Sequence, residues 1–227
     1  DLDGENSIQF SYISPDGDEG YPGQLDVTVI YTLTEDSEFR IDYSARSEED
    51  TIVNLTHHSY FNLRGSSDIF NHELMINADK FTPVAPDLLP TGDYMPVVKT
   101  PLDFWELTPI GKSIGGEIGL LIFGNGYDHS FVLNNPGALH ALAARVREPF
   151  TGRVMEVFTT EPGLHLYTGN YLDGISGKNG LLYRKHAGFC LEAQRFPDSP
   201  NHPRFPSAVV REGEEYRQTT IYRFSTD

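Results

Sequence analysis

Cysteine is almost absent from this sequence, whose 227 residues include only one, Cys190. A single cysteine excludes an intramolecular disulfide and any metal site built from several cysteines. A chain so poor in cysteine fits a reducing compartment, where disulfides do not persist. We therefore expect a cytoplasmic protein, and a secreted protein poor in cysteine is the alternative.

Positive charge and long apolar runs are also scarce. The chain has 17 lysine and arginine residues against 33 aspartate and glutamate residues, which gives a formal net charge of −16. Such a surface repels phosphate backbones and anionic headgroups, so we expect neither a nucleic-acid partner nor a membrane partner. The longest apolar run, residues 118–124, is far shorter than the roughly 20 residues that span a bilayer. A neutral or cationic small molecule suits this composition better.

Helical periodicity is nearly absent, and the alternation typical of strands takes its place. Apolar residues recur at every second position in residues 25–33 and 39–46, and the polar residues 34–37 between them predict a hairpin. Only residues 104–113 could form a helical turn, which Pro109 limits. Further strands are predicted at residues 7–14, 51–58, 73–80, 153–160, 188–194 and 218–224.

Turn residues separate these predicted strands. The 21 glycines and 15 prolines are spread between the strands, and the chain has no linker or low-complexity tract. This pattern predicts a single antiparallel β-sandwich domain over residues 1–227 rather than alternating strands and helices. Residues 81–125 are too long for a simple connection, and long loops on such scaffolds often build binding sites.

Two adjacent histidines lie in residues 54–63, the densest cluster of polar and aromatic side chains. On a strand, His57 and His58 point to opposite faces, and His58 shares its face with Asn54 and Thr56. At most one of the two histidines can therefore line a polar cleft, and both could equally be structural. We expect no metal ion at this pair, because adjacent strand positions cannot face one ion.

Two carboxylates are further candidates. Glu192 lies on the strand face opposite Phe189 and Leu191, where it could be a general base with a tuned pKa or a solvated surface residue. Asp128 follows a glycine-rich turn beside Tyr127, where it could bind sugar hydroxyls or cap the turn.

Seven short motifs occur in order along the chain: Ser-Pro-Asp-Gly-Asp-Glu-Gly-Tyr-Pro-Gly at residues 14–23, His-Ser-Tyr-Phe-Asn-Leu at 58–63, Pro-Thr-Gly at 90–92, Gly-Tyr-Asp-His at 126–129, Tyr-Thr-Gly-Asn at 167–170, Leu-Glu-Ala-Gln at 191–194 and Pro-Asp-Ser-Pro-Asn at 197–201. Each motif alone is weakly specific. Together and in this order, they closely resemble the aldose 1-epimerase family, also called galactose mutarotases.

The resemblance implies a large antiparallel β-sandwich of the galactose mutarotase type. It also implies an isomerase that interconverts the α and β anomers of free hexoses such as galactose and glucose, with no cofactor and no metal. By the same resemblance Glu192 is the catalytic base and His58 the catalytic acid, while Asp128, His165 and Asn62 bind substrate. We expect Glu192 to be partly desolvated, because a base must titrate near the working pH. Family members often carry glutamine where this chain has His165.

Family members also carry a long N-terminal segment with several strands and a sugar-contacting arginine and histidine. We expect this chain to be the C-terminal portion of such a protein, with an upstream segment or a second copy as a partner. Two alternatives stay open. One is a carbohydrate-binding β-sandwich with impaired catalysis, which the intact pair of His58 and Glu192 disfavours. The other is a hexose-6-phosphate 1-epimerase, which the scattered arginines disfavour.

Overall fold

Antiparallel strands form most of the regular structure in residues 6–115 and 119–227, the part of the chain that the computed structural model describes. Residue 118, the first of the apolar run, lies outside these ranges. The strands are β1 (Ser7–Ser14), β2 (Leu25–Leu33), β3 (Glu38–Ser47), β4 (Thr51–Ile52), β5 (Glu73–Ile76), β6 (Ala78–Thr82), β7 (Met95–Pro96), β8 (Thr108–Pro109), β9 (Asp128–Leu133), β10 (Leu142–Arg147), β11 (Arg153–Thr159), β12 (Gly163–Tyr167), β13 (Ile175–Ser176), β14 (Leu182–Tyr183), β15 (Cys190–Gln194), β16 (Val209–Val210) and β17 (Glu215–Thr226).

Helical structure is limited to short pieces. The described residues hold one short α-helix, α1 (Gly119–Ile122), and 3-10 turns at Asp18–Gly20, Ile110–Lys112, Lys178–Gly180 and Ser199–Asn201. The turn at Ile110–Lys112 lies within the stretch from which a helical turn was predicted. No helix of the described residues has both the length and the hydropathy that crossing a membrane requires.

Two large sheets make up the sandwich. One has eight strands in the order β1-β2-β3-β17-β11-β10-β5-β8, and the other has five in the order β15-β12-β9-β6-β7. Their inner faces share one apolar core, which includes Tyr43 of β3, Phe131 of β9 and Leu191 of β15. Hydrogen bonds also join the sheets, because Tyr222 Oη on β17 donates to the Leu191 carbonyl at 2.8 Å. The predicted antiparallel β-sandwich is confirmed.

Several predicted strands are confirmed and others are corrected. Strands β1 and β2 begin and end at the predicted residues, and β2 and β3 form the predicted hairpin. The prediction for residues 51–58 is wrong beyond Ile52, where the chain leaves the ladder. The strand predicted at residues 73–80 is two strands, because β5 joins the eight-stranded sheet and β6 the other. Strands β9, β10 and β12 were not predicted from the sequence.

The register of the five-stranded sheet determines which side chains meet. Strand β12 lies between β9 and β15, so His165 lies opposite Ser130 on one side and Glu192 on the other. Successive residues of a strand point to opposite faces. Leu164 and Leu166 therefore enter the core, whereas His165 lies on the outer face with its cross-strand neighbours.

Candidate active site

Polar side chains from three adjacent strands gather on the outer face of the five-stranded sheet. Strand β9 contributes Asp128 and Ser130, β12 contributes His165, and β15 contributes Cys190 and Glu192. The apolar neighbours of these residues in sequence fill the core, which fixes the polar side chains on the opposite face. The candidate active site is therefore a consequence of strand register.

The segment before His58 runs along β15 without belonging to its sheet. Asn54 Nδ2 donates to the Arg195 carbonyl at 3.0 Å, and the Arg195 backbone N–H donates to Asn54 Oδ1 at 2.9 Å. Thr56 Oγ1 donates to the Ala193 carbonyl at 3.0 Å. Side-chain hydrogen bonds from Asn54 and Thr56 to the backbone of residues 193 and 195 thus take the place of the backbone hydrogen bonds that join two strands. These bonds bring His58 beside β15.

His58 and Glu192 form a close pair. His58 Nε2 lies 3.3 Å from Glu192 Oε1, and the Cys190 thiol contacts His58 Nδ1 at 3.5 Å. The His58 side chain is 52% exposed, whereas that of Glu192 is 9% exposed. One member of the pair is open to solvent and the other is recessed in the sheet. This is a geometry in which a ligand on the His58 side can reach both groups.

Burial and the two nearby histidines shift the pKa of Glu192 in opposite directions. Burial is the largest effect and raises the pKa of Glu192, and the nearby Asp128 raises it further. His165 and His58 act against this and lower the pKa of Glu192. The net direction is upward, which confirms the expectation that this carboxyl is partly desolvated. A carboxyl of this kind can exchange a proton closer to neutral pH than an exposed glutamate.

Asp128, His165 and Ser130 form a hydrogen-bonded chain beside this pair. His165 Nε2 lies 2.7 Å from Asp128 Oδ1, and His165 Nδ1 lies 3.0 Å from Ser130 Oγ. Both ring nitrogens of His165 therefore have a partner, and the ring cannot rotate without losing a hydrogen bond. Ser130 was not predicted as a site residue, although it stands two residues after Asp128 on a strand and so shares its face.

Two tyrosines flank His58 on the open side. The ring of Tyr60 lies 5.3 Å from the His58 ring, and that of Tyr167 lies 5.9 Å from it. The two tyrosine rings meet edge to face at 6.1 Å. Burial is the largest cause of a rise in the pKa of Tyr60 to about 12, so its hydroxyl stays protonated at neutral pH. Both tyrosines belong to the motifs noted above, but the sequence analysis gave them no role.

His57 lies in a different environment from His58. Its ring packs against Phe39 and Tyr222 at 5.6 Å each, within a larger aromatic cluster, and its Nε2 lies 2.9 Å from Ser59 Oγ. Burial lowers the pKa of His57, which favours a neutral ring. The structure therefore places one histidine at the site and the other in the packing beneath it.

Asn62 is not brought together with the other four predicted site residues. Its Nδ2 donates to the backbone carbonyls of Ser67 and Ala187, and its Oδ1 accepts the backbone N–H groups of Arg64 and Gly65. These bonds use the hydrogen-bonding capacity of a side-chain amide. The contacts build a loop, and the role of Asn62 in sugar binding stays a prediction.

Three groups of the kind that bind metals also meet here. Ligand atoms of His58, Cys190 and Glu192 lie within 4.8 Å of one another. Burial raises the pKa of the Cys190 thiol well above its usual range. The thiol lies behind the pair of His58 and Glu192, and we assign no metal ion to this group.

A separate cavity of about 800 Å³ lies among the loops beside β6 and β7. Lysine and acidic side chains line it together with Trp105, and none of the five predicted site residues does. Mixed charges without a paired acid and base give it no comparable chemistry. The candidate active site is therefore assigned to the outer face of the five-stranded sheet.

Comparisons with known proteins show which family this chain resembles. The family model described as aldose 1-epimerase matches residues 2–223. The human galactose mutarotase is 49% identical to this chain over 223 residues, which are 97% of this chain and 63% of that protein. The aldose 1-epimerase of Escherichia coli strain K12 is 37% identical over 97% of this chain and 64% of that protein.

Solved structures give the same result. An aldose epimerase homologue from C. elegans matches with a TM-score of 0.88 and 29% identity, over 97% of this chain and 66% of that one. A galactose 1-epimerase from Lactobacillus acidophilus matches with a TM-score of 0.87 and 27% identity, over 100% and 65%. This chain thus spans a little under two thirds of the length of these relatives. It belongs to the aldose 1-epimerase family.

Proposed function

We propose that this protein is a mutarotase that interconverts the α and β anomers of free hexoses, with galactose and glucose as its substrates. One observation carries the proposal: His58 Nε2 and Glu192 Oε1 lie 3.3 Å apart. In a cyclic hexose the C1 hydroxyl oxygen and the ring oxygen are bonded to the same carbon. An acid and a base must therefore be close neighbours to act on both oxygens at once.

In ring opening, Glu192 accepts a proton and His58 donates one. The Glu192 carboxylate removes the proton of the C1 hydroxyl, a carbonyl forms at C1, and the bond from C1 to the ring oxygen breaks. The His58 imidazolium gives its proton to that oxygen, which becomes the C5 hydroxyl. The raised pKa of Glu192 suits it to accept a proton near neutral pH.

Ring closure repeats these steps in reverse after a rotation. The open-chain aldehyde turns about the bond from C1 to C2 and presents its other face to the C5 hydroxyl. Neutral His58 then removes the C5 hydroxyl proton, the oxygen attacks C1, and protonated Glu192 returns a proton to the new C1 hydroxyl. Acid and base are restored, so the cycle consumes nothing.

Asp128 is proposed to bind a sugar hydroxyl, whereas both ring nitrogens of His165 already have protein partners, and a direct contact between His165 and the sugar stays a prediction. Asp128 Oδ1 accepts from His165 at 2.7 Å, which leaves the other carboxylate oxygen able to accept from a hydroxyl. Tyr60 and Tyr167 offer ring faces beside His58 against which a sugar ring can pack. A neutral hexose also suits the net charge of −16 better than a sugar phosphate does. The cytoplasmic location and the second copy expected from the sequence stay predictions.

Polarimetry on freshly dissolved α-D-galactose tests this function. We expect the protein to speed the approach to anomeric equilibrium, Glu192→Gln to abolish the effect, and the folded control His57→Gln to keep it. Galactose binding by calorimetry without any acceleration would favour the impaired carbohydrate-binding alternative. Acceleration confined to galactose 6-phosphate would favour the sugar-phosphate alternative, and either result would contradict the proposal.

A further inference from the structure

The hydrogen-bonded chain from Ser130 through His165 to Asp128 can hold one geometry in two charge states. His165 Nε2–H donates to the Asp128 carboxylate at 2.7 Å in both states. In the neutral ring, Nδ1 accepts from the Ser130 hydroxyl at 3.0 Å, and in the imidazolium, Nδ1–H donates to the same oxygen. A hydroxyl hydrogen rotates freely, so no heavy atom has to move when His165 gains a proton.

Glu192 lies directly across the β12–β15 pair from His165. Opposite residues of an antiparallel pair have Cβ atoms about 5 Å apart, within range of a strong electrostatic effect in a buried site. The other titratable groups around Glu192 come from every neighbouring element. They are Asp128 from β9, Cys190 from β15 itself, Tyr222 from β17, and His58 and Tyr60 from the segment after β4. Among these, His165 and His58 lower the pKa of Glu192, whereas Asp128 raises it.

We propose that His165 is a positioning residue that holds Asp128 as a hydrogen-bond acceptor for substrate and sets the charge that Glu192 meets from β12. The inference rests on the proposed function for its substrate and for its catalytic consequence, whereas the titration of Glu192 is independent of both. Asp128 alone would place a second negative charge beside the base. The His165 ring acts against that charge and holds Asp128 through a hydrogen bond, so substrate binding and base strength are linked through one ring.

Two substitutions separate the two roles of His165. The His165→Gln side chain can still donate an N–H to Asp128, but it carries no charge. The His165→Leu side chain fills the space and does neither. We expect His165→Gln to raise the titration midpoint of Glu192 while keeping galactose affinity, because the hydrogen bond to Asp128 is kept and only the electrostatic effect of the imidazole ring on Glu192 is lost. We expect His165→Leu to raise the midpoint as well and to weaken galactose binding by at least about tenfold, the effect of one charge-assisted hydrogen bond.

The test is a pH titration of the Glu192 side chain, followed by NMR of its carboxyl carbon in protein that contains isotope-labelled glutamate. The Glu192 signal is the one that disappears in Glu192→Gln. Asp128→Asn should move the midpoint downward, opposite to His165→Gln, because it removes a negative neighbour. His202→Gln is the matched control, since His202 lies 3.1 Å from Asp198 in a second histidine–aspartate pair outside this cluster. It should leave the midpoint unchanged.

Opposite shifts in His165→Gln and Asp128→Asn, together with no shift in His202→Gln, support the inference. A purely structural His165 would lower thermal stability without moving Glu192. An unchanged or lowered midpoint in His165→Gln would overturn the inference, and so would tight galactose binding by His165→Leu. The titration does not depend on turnover, so a protein with these shifts but no mutarotation would overturn the proposed function alone.

Discussion

Glu192 and Glu161 are two buried carboxylates in different regions of this fold. Glu192 is 7% exposed and Glu161 4% exposed, and burial raises the pKa of both, that of Glu161 to about 7. Glu192 stands on the outer face of a sheet with His58 at 3.3 Å. Glu161 lies in the bend between β11 and β12, where its Oε2 has no hydrogen-bond partner within the described part of the chain.

The difference shows that a raised pKa is not sufficient to mark a catalytic carboxyl. The pKa of both carboxyl groups is raised, and burial is the largest cause in each case. Only Glu192 has a second proton-carrying group at hydrogen-bonding range, and that group is half exposed. The charge that offsets burial at Glu161 is Arg195, a guanidinium that does not release its proton. Glu161 therefore affects stability rather than chemistry.

The largest expected effect is the difference in kcat between substitutions of the two carboxylates. Glu192→Gln should lower the kcat of galactose mutarotation by about 10³-fold, because a positioned general base contributes roughly 10² to 10⁴. Glu161→Gln should leave kcat unchanged, since its carboxyl touches no group of the site. Polarimetry on both variants at matched folded concentration provides the comparison. Equal losses in the two would show that burial, and not the partner of Glu192, determines activity.

The next effect distinguishes the adjacent histidines. His58→Gln should lower kcat by about 10²-fold with a smaller change in KM, because the acid acts in the transition state. His57→Gln should cost about 1 to 2 kcal/mol of unfolding free energy through lost aromatic packing, with kcat retained. Polarimetry and thermal unfolding check the pair. A larger loss of kcat in His57→Gln would mean that the acid is the other histidine.

Glu161 should make stability depend on pH. Its pKa is about 7 in the folded protein against a usual value of 4.5, so the folded state binds the proton more tightly. This stabilisation is fully present below the unfolded pKa and is lost as pH rises through about 7. The wild type loses this stabilisation as pH rises, whereas Glu161→Gln does not. The free energy of unfolding of Glu161→Gln relative to wild type should therefore increase by about 2 kcal/mol from about pH 5 to about pH 8.

Chemical denaturation at the two pH values measures this difference. The control is Glu156→Gln, whose carboxylate pairs with Arg145 at 3.3 Å on the outer part of β11. The control should show no comparable gain at the higher pH. A Glu161→Gln protein whose advantage over wild type is the same at both pH values would contradict the assignment.

The smallest expected effect concerns contacts that build a loop rather than face the site. Asn62→Ala removes the hydrogen bonds to the backbone of Ser67 and Ala187 and should cost about 1 kcal/mol of unfolding free energy. Its galactose affinity, measured by calorimetry on the folded protein, should fall far less than that of Asp128→Ala. Equal losses in the two variants would instead favour the direct sugar contact predicted from the sequence.

Much of the eight-stranded sheet was predictable, and the centre of the five-stranded sheet was not. Strand β2 alternates apolar and polar residues, so its period is visible. In β9 buried residues occur on both faces, including His129 and Ser130, and the alternation disappears. Strand β12 is five residues long and combines leucines with His165 and Tyr167, too short a pattern to distinguish from a loop.

The site was only partly predictable for a related reason. Glu192 and His58 stand out in their motifs, but their approach to 3.3 Å depends on hydrogen bonds from Asn54 and Thr56 to β15, more than 130 residues away in sequence. The contact between His165 and Ser130 depends on the register of two strands that the pattern did not reveal. The sequence shows which residue types are present, whereas the register of the strands determines which of these residues are in contact.

The pH dependence of mutarotation tests the central claim most directly. Rates of α-D-galactose mutarotation should fall on the acidic side as Glu192 gains a proton. Glu192→Gln should lose this acidic limb from its residual rate, whereas His58→Gln should be slower than wild type and keep the limb. A wild-type rate with no acidic limb, or an acidic limb that persists in Glu192→Gln and disappears in His58→Gln, would contradict the assignment of Glu192 as base and His58 as acid.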